Sequence, residues 1–356
     1  MPSIHSIQQK LTNQPIRSIC LIKPSAFGDV VQALPVVAFL KQRWPEARIT
    51  WVISSALKNL LEGYDGIDEL IFYERKGKLA SWLKLLKELR SRRFDLVFDL
   101  QGLLRTGVMT LATRAPTRVG LQTAREYSWL ANHGLLEGTE RSIPAYQRYL
   151  NIANFLELPN ASPEWNFGIQ SQDRTRALQL IGDLPAPLIT IHAGAQWVTK
   201  RWPTEHFAKV IHEVAKRLSP IRGSVVLVGA PGEAEINQQL HQQLSSVPEH
   251  WPIRDLTGKT SLRELAVILK TARMMLSNDS GPMHLAAAMG TQVTGIFTCT
   301  SGKQSGPYGN HHKVFQANVD CTASYKKQCP MPGDQQHCCF DSILPMRVSE
   351  VITDSM

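Results

Sequence analysis

The feature that most constrains the fold is a double series of short apolar runs that alternate with helical patterns. In the first series, the strand-like run 17–22 is followed by a turn and by a helical pattern over 30–40. A second series begins with the run 188–191, which the helical pattern of 204–218 follows. Such alternation is typical of parallel sheets covered by helices on both faces. The sequence therefore predicts an α/β protein with two such domains.

The domain boundary is predicted where this alternation lapses, between residues 156 and 187, into the irregular stretches ELPNASPEW, GIQSQD and GDLPAP. We expect an N-terminal domain at 1–165, a linker at 166–187 and a C-terminal domain at 188–356. The run 292–298 is predicted to close the second series. Tandem domains of this kind bind ligands in a cleft that the carboxyl ends of their strands face.

The segment 277–289 (SNDSGPMHLAAAM) predicts a strand end, a polar turn and the start of a helix. Pro282 suits the first helical position, and Ser280 or Gly281 can cap the helix. The first N–H groups of such a helix and the positive end of its dipole attract a phosphate. An ordinary strand-to-helix turn with a capping side chain is the alternative interpretation.

Three further loops that follow predicted strands are rich in small residues, namely 192–203, 229–233 and 256–259. Small residues let the backbone approach a ligand closely, and Lys200 and Arg201 add positive charge. Each loop is weak evidence by itself. Four of them on one rim, with a helix N-terminus among them, predict a ligand that carries phosphate.

Several reaction classes lack their motifs in this chain. No Asp-x-Asp pair occurs, so a chelated divalent ion is not expected, and lysine and the helix dipole would have to neutralise a diphosphate instead. G-x-x-x-x-G-K-[ST] and G-x-S-x-G are absent as well. Gly28 stands alone where the dinucleotide fingerprint needs three glycines. We expect neither a metal nor a cofactor in the reaction.

The N-terminal domain offers a candidate catalytic base. Asp29 follows Gly28 at the end of the first strand-end turn, where a carboxylate could take a proton from a hydroxyl nucleophile. A cap for a helix beginning at Val30 is the alternative. Asp99, at the end of a second predicted strand, is another cleft carboxylate. Polar side chains that suit a carboxylate- or phosphate-bearing acceptor are predicted on following loops or helix starts: Gln101, Arg105, Arg118 and Arg125.

The charge of the chain indicates anionic partners. The formal net charge is +9, and the segment 75–93 crowds lysines and arginines around an amphipathic run of leucines. Such a helix can lie on an anionic membrane surface, and a solvated helix with its apolar side in the core is the alternative. Nucleic acid is not expected, because no stacking motif or recognisable module is present. With neither a membrane-spanning run nor a signal peptide, a cytoplasmic protein is expected.

Four of the six cysteines cluster near the C-terminus, beside His337: Cys321, Cys329, Cys338 and Cys339. Their spacings match no short C-x-x-C pair, so a metal site and free thiols both stay open. Cys20 and Cys299 lie in or beside apolar runs and are predicted to be small buried hydrophobic residues.

In their order along the chain, these residues resemble the heptosyltransferase family, glycosyltransferase family 9, of lipopolysaccharide core assembly. The resemblance covers residues 17–309. It rests on KPSAFGDVVQALP at 23–35, DLQGL at 99–103, RVG at 118–120 with ARE at 124–126, KRWP at 200–203 and NDSGPMH at 278–284. Each piece alone is unspecific, whereas the ordered set is specific.

The resemblance implies a GT-B fold, with two Rossmann-like domains whose parallel sheets face a central cleft. It also implies inverting, metal-independent transfer of heptose from ADP-heptose to a lipid-linked acceptor at the inner membrane. Asp29 would be the general base and Lys200 the diphosphate ligand. The expected donor-binding residues are His192, Gly194, Lys200, Gly229, Glu233, Thr257, Gly258, Asp279, Ser280, Gly281, Pro282 and His284. The expected acceptor-binding residues are Ser25, Gly28, Asp99, Gln101, Arg105, Arg118 and Arg125.

Some features of the chain depart from this pattern. The loop 193–198 (AGAQWV) is small and apolar where more hydroxyl groups are expected, and Ser324 stands where a second cysteine is expected. Asp279 would repel phosphates, so we expect it to accept hydrogen bonds from backbone N–H groups or from a hydroxyl of the donor. A nucleotide-sugar epimerase and a non-catalytic two-domain binding protein remain alternatives on the same architecture.

Overall fold

The computed structural model describes residues 3–356, so residues 1 and 2 of the predicted N-terminal domain lie outside the described residues. The chain divides into two compact units, one up to Gly168 and one from Ile169 onward.

The first unit is built on a sheet of six parallel strands within the described residues, in the order β3-β2-β1-β4-β5-β6. Apolar residues fill its central strand, where Ile19, Leu21 and Ile22 are fully buried, as expected for a strand covered on both faces. The strands are β1 Ser18–Ile22, β2 Arg48–Ser54, β3 Glu69–Tyr73, β4 Leu96–Asp99, β5 Thr117–Leu121 and β6 Gly134–Leu136.

The helices of the first unit connect these strands. They are α1 Ile4–Thr12, α2 Phe27–Ala33, α3 Pro35–Arg43, α4 Lys58–Leu61, α5 Leu79–Ser91, α6 Leu104–Thr113, α7 Ala145–Leu150 and α8 Ile152–Phe155. The strand order reverses between β1 and β4, which pair in parallel from Ile19 with Leu96 to Ile22 with Asp99. The loops that leave these two strands therefore lie side by side at the carboxyl edge, where open α/β sheets bind ligands.

The second unit repeats this topology, with a six-stranded parallel sheet in the order β12-β11-β10-β7-β8-β9. Its strands are β7 Leu188–His192, β8 Ser224–Leu227, β9 Ile253–Asp255, β10 Met274–Asn278, β11 Gln292–Phe297 and β12 Lys313–Gln316. Here the order reverses between β7 and β10, where Ser277 pairs with His192. This reversal brings the loops after His192 and Asn278 together.

The helices of the second unit are α9 Ser171–Ile181, α10 Thr204–Leu218, α11 Ala234–Gln243, α12 Leu262–Thr271, α13 Gly281–Ala288, α14 Gly302–Ser305, α15 Cys338–Asp341 and α16 Pro345–Thr353. The C-terminal helix α16 packs on α10, with Val348 and Ile352 fully buried in the core of this unit. The tail of the chain is therefore part of the second unit.

The predicted fold class, α/β with two parallel sheets, is confirmed, and three local predictions differ from the structure. The predicted linker 166–187 contains α9, which packs on α12. The helical pattern of α9 is weak in the sequence because its apolar face is narrow. Ala177 and Ile181 are its buried apolar residues. The run 292–298 does not close the series, because the partly exposed edge strand β12 follows it. Two strands of the first unit, β5 and β6, were not predicted.

Among the described residues, no helix combines the length and the apolar character needed to cross a bilayer.

Candidate active site

The first strand-end loop of the N-terminal unit presents Asp29. Helix α2 begins at Phe27 with Ala26 as its N-cap, three residues earlier than the sequence suggested. Asp29 therefore lies in the first helical turn and is not the cap, and the helix dipole favours a carboxylate there. Its side chain is 45% exposed and accepts a hydrogen bond from Lys23 Nζ at 3.3 Å. Asp29 is thus accessible to a substrate and has a cation beside it.

Lys23, which was not predicted as a site residue, positions that carboxylate. Its side chain is only 4% exposed, and its ammonium group lies 5.8 Å from the centre of the Tyr149 ring. Burial alone would lower the pKa of Lys23, but Asp29 and Tyr149 outweigh it, so the pKa is raised. Lys23 therefore stays charged beside Asp29. The signal in the sequence was a lysine directly after a buried strand.

Asp99 ends the neighbouring strand β4 and holds the loop that follows it. Its side chain is fully buried and accepts hydrogen bonds from Gln101 N at 3.1 Å, Gly102 N at 2.9 Å and Thr106 Oγ1 at 3.1 Å. Burial raises the pKa of Asp99 to about 6 in spite of these donors. Asp99 was predicted to be a carboxylate that faces the cleft. In the structure its own loop encloses it, and it faces no solvent.

Gln101 and Ser25 join the two loops at this edge, because the Ser25 N–H donates to Gln101 Oε1 at 3.3 Å. Arg125 comes to the same place, since its backbone N–H donates to Gly102 O at 2.9 Å and its side chain is exposed. Gly102 has φ +66°, and a Cβ atom there would lie 2.8 Å from Ala124 Cα. A glycine is therefore required for this close approach.

The other predicted acceptor residues are placed differently. Gly28 is buried in the first turn of α2, and Arg105 lies in the first turn of α6. Arg118 is not on a loop after a strand, as was expected, but is the second residue of β5. Its guanidinium group donates to Ala131 O at 2.8 Å and to Ala115 O at 2.7 Å. Arg118 thus binds backbone carbonyl groups near the amino end of its strand, because the loops there leave carbonyl oxygens that need donors.

In the second unit, His192 is the last residue of β7 and is only 3% exposed. Its Nε2 lies 3.2 Å from Glu233 Oε2, and its Nδ1 lies 3.1 Å from Ser280 Oγ. The residues come from three of the predicted loops, after β7, β8 and β10. The reversal of strand order therefore assembles this set.

The predicted glycines make room for Glu233. A Cβ atom on Gly194 would lie 1.9 Å from Glu233 Oε1, and one on Gly229 would lie 3.1 Å from Glu233 Oε2. Ala230 N donates to Glu233 Oε2 at 2.7 Å. Burial would raise the pKa of Glu233, but the hydrogen bond and the charge of His192 and the bond from Ala230 outweigh it, so the pKa is lowered. Glu233 is therefore an ionised carboxylate packed against two glycines.

Lys200 and Asp279 form an ion pair in the same unit. Lys200 Nζ donates to Asp279 Oδ2 at 2.6 Å, and Thr300 Oγ1 donates to the same oxygen at 2.7 Å. The side chain of Asp279 is 6% exposed and that of Lys200 19%. Lys200 Nζ also lies 4.7 Å from the centre of the Trp197 ring. Asp279 was expected to accept from backbone N–H groups or a ligand hydroxyl, but it accepts from a lysine and a threonine of the chain.

Helix α13 begins at Gly281 with Pro282 as its second residue, and Ser280 is the N-cap. The Ser280 side chain does not cap the helix; its hydroxyl faces His192 and Ser277 instead. His284, in the same first turn, is 7% exposed. The expected helix start after β10 is therefore present, and no side chain at the N-cap position covers it.

The loop after β9 offers fewer groups to a donor ligand than the sequence predicts. Thr257 Oγ1 donates to Asp255 Oδ1 at 2.5 Å and accepts from Asn237 Nδ2 at 2.6 Å, so its hydroxyl is engaged within the unit. Gly258, with φ +68°, donates its N–H to Gly229 O at 2.8 Å. Gly258 thus ties the loop after β9 to the loop after β8, and Thr257 ties it to α11.

The cysteine-bearing tail supports the lysine loop. Thr199 Oγ1 donates to Lys326 O at 2.8 Å and accepts from Cys299 Sγ at 3.3 Å, while Tyr325 N donates to Cys299 O at 2.9 Å. All six cysteines are free thiols within the described residues. Over the same range, 3–356, no group of three or more histidine, cysteine or acidic side chains is arranged to hold a metal ion. The tail thus packs directly behind the residue that precedes Lys200.

The chain is similar to known proteins over most of its length. The chain is 27% identical over 301 residues to the lipopolysaccharide core heptosyltransferase OpsX of Haemophilus influenzae, covering 84% of each chain. It is 25% identical over 359 residues to lipopolysaccharide heptosyltransferase 1 of Pseudomonas aeruginosa, covering 93% of this chain and 96% of that one. Among solved structures it superposes on the E. coli ADP-heptose lps heptosyltransferase II with a TM-score of 0.74 at 22% identity, covering 95% and 98% of the two chains.

Residues 82–334 match the family model of glycosyltransferase family 9 (heptosyltransferase). This segment is well over half of the chain, and it contains Lys200, His192, Glu233, Asp279 and Ser280. The chain therefore belongs to glycosyltransferase family 9, the heptosyltransferases, and is a glycosyltransferase.

Proposed function

We propose that this chain transfers a heptose, or a closely related sugar, from ADP-heptose to a lipopolysaccharide-core-type acceptor, with inversion at the anomeric carbon and without a metal ion. The observation that carries the proposal is the assembly at the reversal of the second sheet. There His192, Glu233 and Ser280 meet at the start of α13, and the Lys200–Asp279 pair adjoins them. The relatives' names supply the sugar and the acceptor, since ADP-heptose and lipopolysaccharide appear in them.

The roles follow from the chemistry of each group. Asp29 takes the proton of an acceptor hydroxyl as its oxygen forms a bond to the anomeric carbon. The bond from that carbon to the diphosphate oxygen breaks on the opposite face, and its electron pair leaves with the diphosphate. The N-terminus of α13 and Lys200 stabilise the charge that develops on this leaving group. Because no Asp-x-Asp pair occurs in the sequence, protein cations and dipoles carry that task.

The test is a transfer assay preceded by a binding screen. We expect ADP-heptose to raise the melting temperature of the protein more than UDP-, GDP- or CDP-sugars do, since ligand in large excess over its Kd stabilises the folded state by about 3 kcal/mol. Incubation with a core acceptor that lacks heptose should give a product one heptose heavier, with inverted anomeric configuration, and a chelator should leave the rate unchanged. A modified donor that forms without any acceptor would instead establish an epimerase, and binding without either product a binding protein.

We also propose that the first unit touches an anionic membrane surface through α5. Leu85 and Leu89 of this helix are in the core, whereas Leu79 is 71% exposed and Leu83 56% exposed. Its cations are exposed, and of the described lysines and arginines in 75–93 only Arg92 forms an ion pair. A cavity of about 560 Å³ between α5 and α6 is lined by leucines and by Lys87, Arg90 and Arg114. Exposed leucines among unpaired cations match the chemistry of an anionic lipid surface.

We expect the protein to co-sediment with vesicles that contain phosphatidylglycerol, and to do so less at high salt, because exposed charges are screened. The double variant Leu79→Ser, Leu83→Ser should bind at least about tenfold more weakly, since two leucines lose their apolar contact with the lipid. The matched control is Leu178→Ser, Leu344→Ser, two leucines that are similarly exposed on the second unit. Equal sedimentation of the variant and of its control would refute a role for α5.

A further inference from the structure

A groove runs between helices α5 and α6 of the first unit and continues to the amino edge of its sheet. Its first part is a cavity of about 560 Å³, and the apolar side chains that line this part are Leu86, Val108, Leu111 and Ala112. Its second part, of about 410 Å³, lies beside the residues that directly precede β4 and β5. Arg90 and Arg114 line both parts, which therefore form one hollow, called here the α5–α6 groove. Its size suits a small-molecule ligand.

The groove carries positive charge that the protein does not neutralise. Arg93 lines its second part, together with Arg90 and Arg114. All three arginines are exposed, and among residues 3–356 none of them has an ion pair or a side-chain hydrogen bond. Their neighbour Arg92, by contrast, pairs with two glutamates of the unit. Three guanidinium groups are thus available to a ligand.

Acidic side chains do not balance this charge. Among the described residues that line the groove, only Asp95 is acidic, and its Oδ2 accepts from the backbone N–H groups of Arg17 at 2.8 Å and of Ser18 at 2.9 Å. This carboxylate therefore has hydrogen-bond donors other than the arginines. Lys87 adds a fourth cation in the first part of the groove. Four cations against one carboxylate make the groove complementary to an anion.

Two of the arginines have a backbone conformation that side-chain-bearing residues rarely adopt. Arg93, two residues after the end of α5, has φ +53°, and Arg114, at the C-cap of α6, has φ +55°. Glycine or asparagine is usual where a helix ends in the left-handed region. A cation at a helix C-terminus is favourable in itself, but that interaction requires neither this conformation nor two helices that end beside one cavity. The strain therefore indicates a function for both side chains.

The exposed face of α5 leads into the groove. Leu79, Leu83, Lys87 and Arg90 follow one another at intervals of four, four and three residues, which places them on one face of the helix. The two leucines are exposed, and the two cations line the groove. On the facing helix α6, Leu111 is 51% exposed. Exposed apolar side chains thus lie next to unpaired cations, and this combination matches a lipid with an anionic headgroup.

We propose that the α5–α6 groove binds one anionic phospholipid, whose phosphate group is held by Arg90, Arg93 and Arg114 and whose acyl chain lies along Leu86 and Leu111. This deepens the proposed contact of α5 with an anionic membrane, and it rests on that contact for the source of the lipid. Arginine suits this ligand because its planar guanidinium group can donate two parallel hydrogen bonds to phosphate oxygens. The contact with the membrane is then specific for a headgroup and not only a matter of charge.

The groove is separate from the proposed catalytic base of the same unit. Arg93 and Arg114 shortly precede β4 and β5, so they lie at the amino edge of the sheet. Asp29 follows β1 and lies at the carboxyl edge. In a parallel sheet these two edges are at opposite ends of the strands. A lipid in the groove is therefore not the acceptor whose hydroxyl group reacts beside Asp29.

The first test is calorimetric and needs neither a membrane nor sugar transfer. Dihexanoyl phosphatidylglycerol, kept below its critical micelle concentration, should bind the intact protein as a monomer. Glycerol 3-phosphate and inorganic phosphate should bind at least about tenfold more weakly, because they lack the acyl chains that the apolar part of the groove would bury. Dihexanoyl phosphatidylcholine, whose headgroup carries no net charge, should also bind at least about tenfold more weakly. If either soluble phosphate bound as tightly as the lipid, the groove would be a site for free phosphate and the proposal would be overturned.

The second test locates the lipid with variants that match in charge. Arg90→Gln, Arg114→Gln should weaken binding of the monomeric phosphatidylglycerol at least about tenfold, because two charge-assisted donors to the phosphate are lost. The control, Arg75→Gln, Lys84→Gln, removes two exposed cations from the same segment that do not line the groove. It should bind the monomeric lipid with the wild-type Kd. Equal weakening in both double variants would show an effect of net charge alone and would refute the site.

The outcomes separate this site from the membrane contact on which it rests. If vesicles that contain phosphatidylglycerol sediment the protein but the monomeric lipid does not bind, the contact of α5 stands and the headgroup site is refuted. If the monomeric lipid binds through Arg90 and Arg114 but vesicles do not sediment the protein, the site stands and the membrane contact is refuted. Melting temperatures of all variants identify any loss that comes from unfolding.

Discussion

Asp29→Asn should abolish sugar transfer while leaving donor binding intact. The amide occupies the same space but cannot accept a proton at neutral pH, and loss of a general base costs about 10²- to 10⁴-fold in rate. The variant keeps an oxygen that can accept from Lys23, whose buried ammonium group otherwise loses its partner at 3.3 Å. Measurement of kcat and of donor-induced thermal shift distinguishes chemistry from binding. We expect kcat to fall about 10²- to 10⁴-fold and the donor-induced thermal shift to stay near the wild-type value.

The control for this variant is Asp65→Asn, an exposed carboxylate of the same unit. It should transfer sugar at the wild-type rate. The base assignment is wrong if Asp29→Asn retains more than about a tenth of the activity, since general-base catalysis contributes far more than that. A shared loss in both variants would indicate an effect of net charge on the unit and not of a specific base.

Lys200→Met should damage both stability and turnover, and the two effects can be separated. Without the lysine, Asp279 is a carboxylate with 6% exposure whose remaining partner is the Thr300 hydroxyl. Breaking a buried pair by removing one member costs about 3 kcal/mol or more. Turnover should fall at least about 100-fold, because the cation that we propose stabilises the leaving diphosphate is gone. Chemical unfolding and steady-state kinetics give the two quantities.

The double variant Lys200→Met, Asp279→Asn separates these effects. It removes the uncompensated carboxylate, so we expect most of the stability to return while turnover stays low. Lys209→Met, at an exposed lysine on α10, is the matched control and should change neither quantity. If the double variant regained wild-type turnover together with its stability, Lys200 would serve the fold alone.

The strand-end residues could be predicted from the sequence because their positions follow from local patterns. A buried run, a turn with glycine or serine and a helical pattern place Asp29 and Ser280 at the carboxyl edge of a sheet, and the structure has them there. The parallel direction of the strands also follows from the alternation, since parallel strands need a crossover between them. These features depend on a few neighbouring residues only.

The partners of these residues could not be predicted in the same way. The Lys200–Asp279 pair joins positions 79 apart in sequence, and the His192–Ser280 contact joins positions 88 apart. Both depend on the register of β7 against β10, which no local pattern states. The prediction for Arg118 was wrong, because this polar residue was assigned to a loop and lies within a strand. Its guanidinium group binds carbonyl oxygens of the same unit.

The packing of the tail behind Thr199 has a practical consequence for anyone who shortens or fuses this protein. The carbonyl oxygen of Lys326 is the acceptor for the Thr199 hydroxyl, and Thr199 directly precedes Lys200. A chain cut before this carbonyl would keep all twelve described strands and still leave Lys200 on a loop without its outer support. The boundary of an active fragment therefore lies beyond the last strand, and the cysteine-bearing tail belongs inside it.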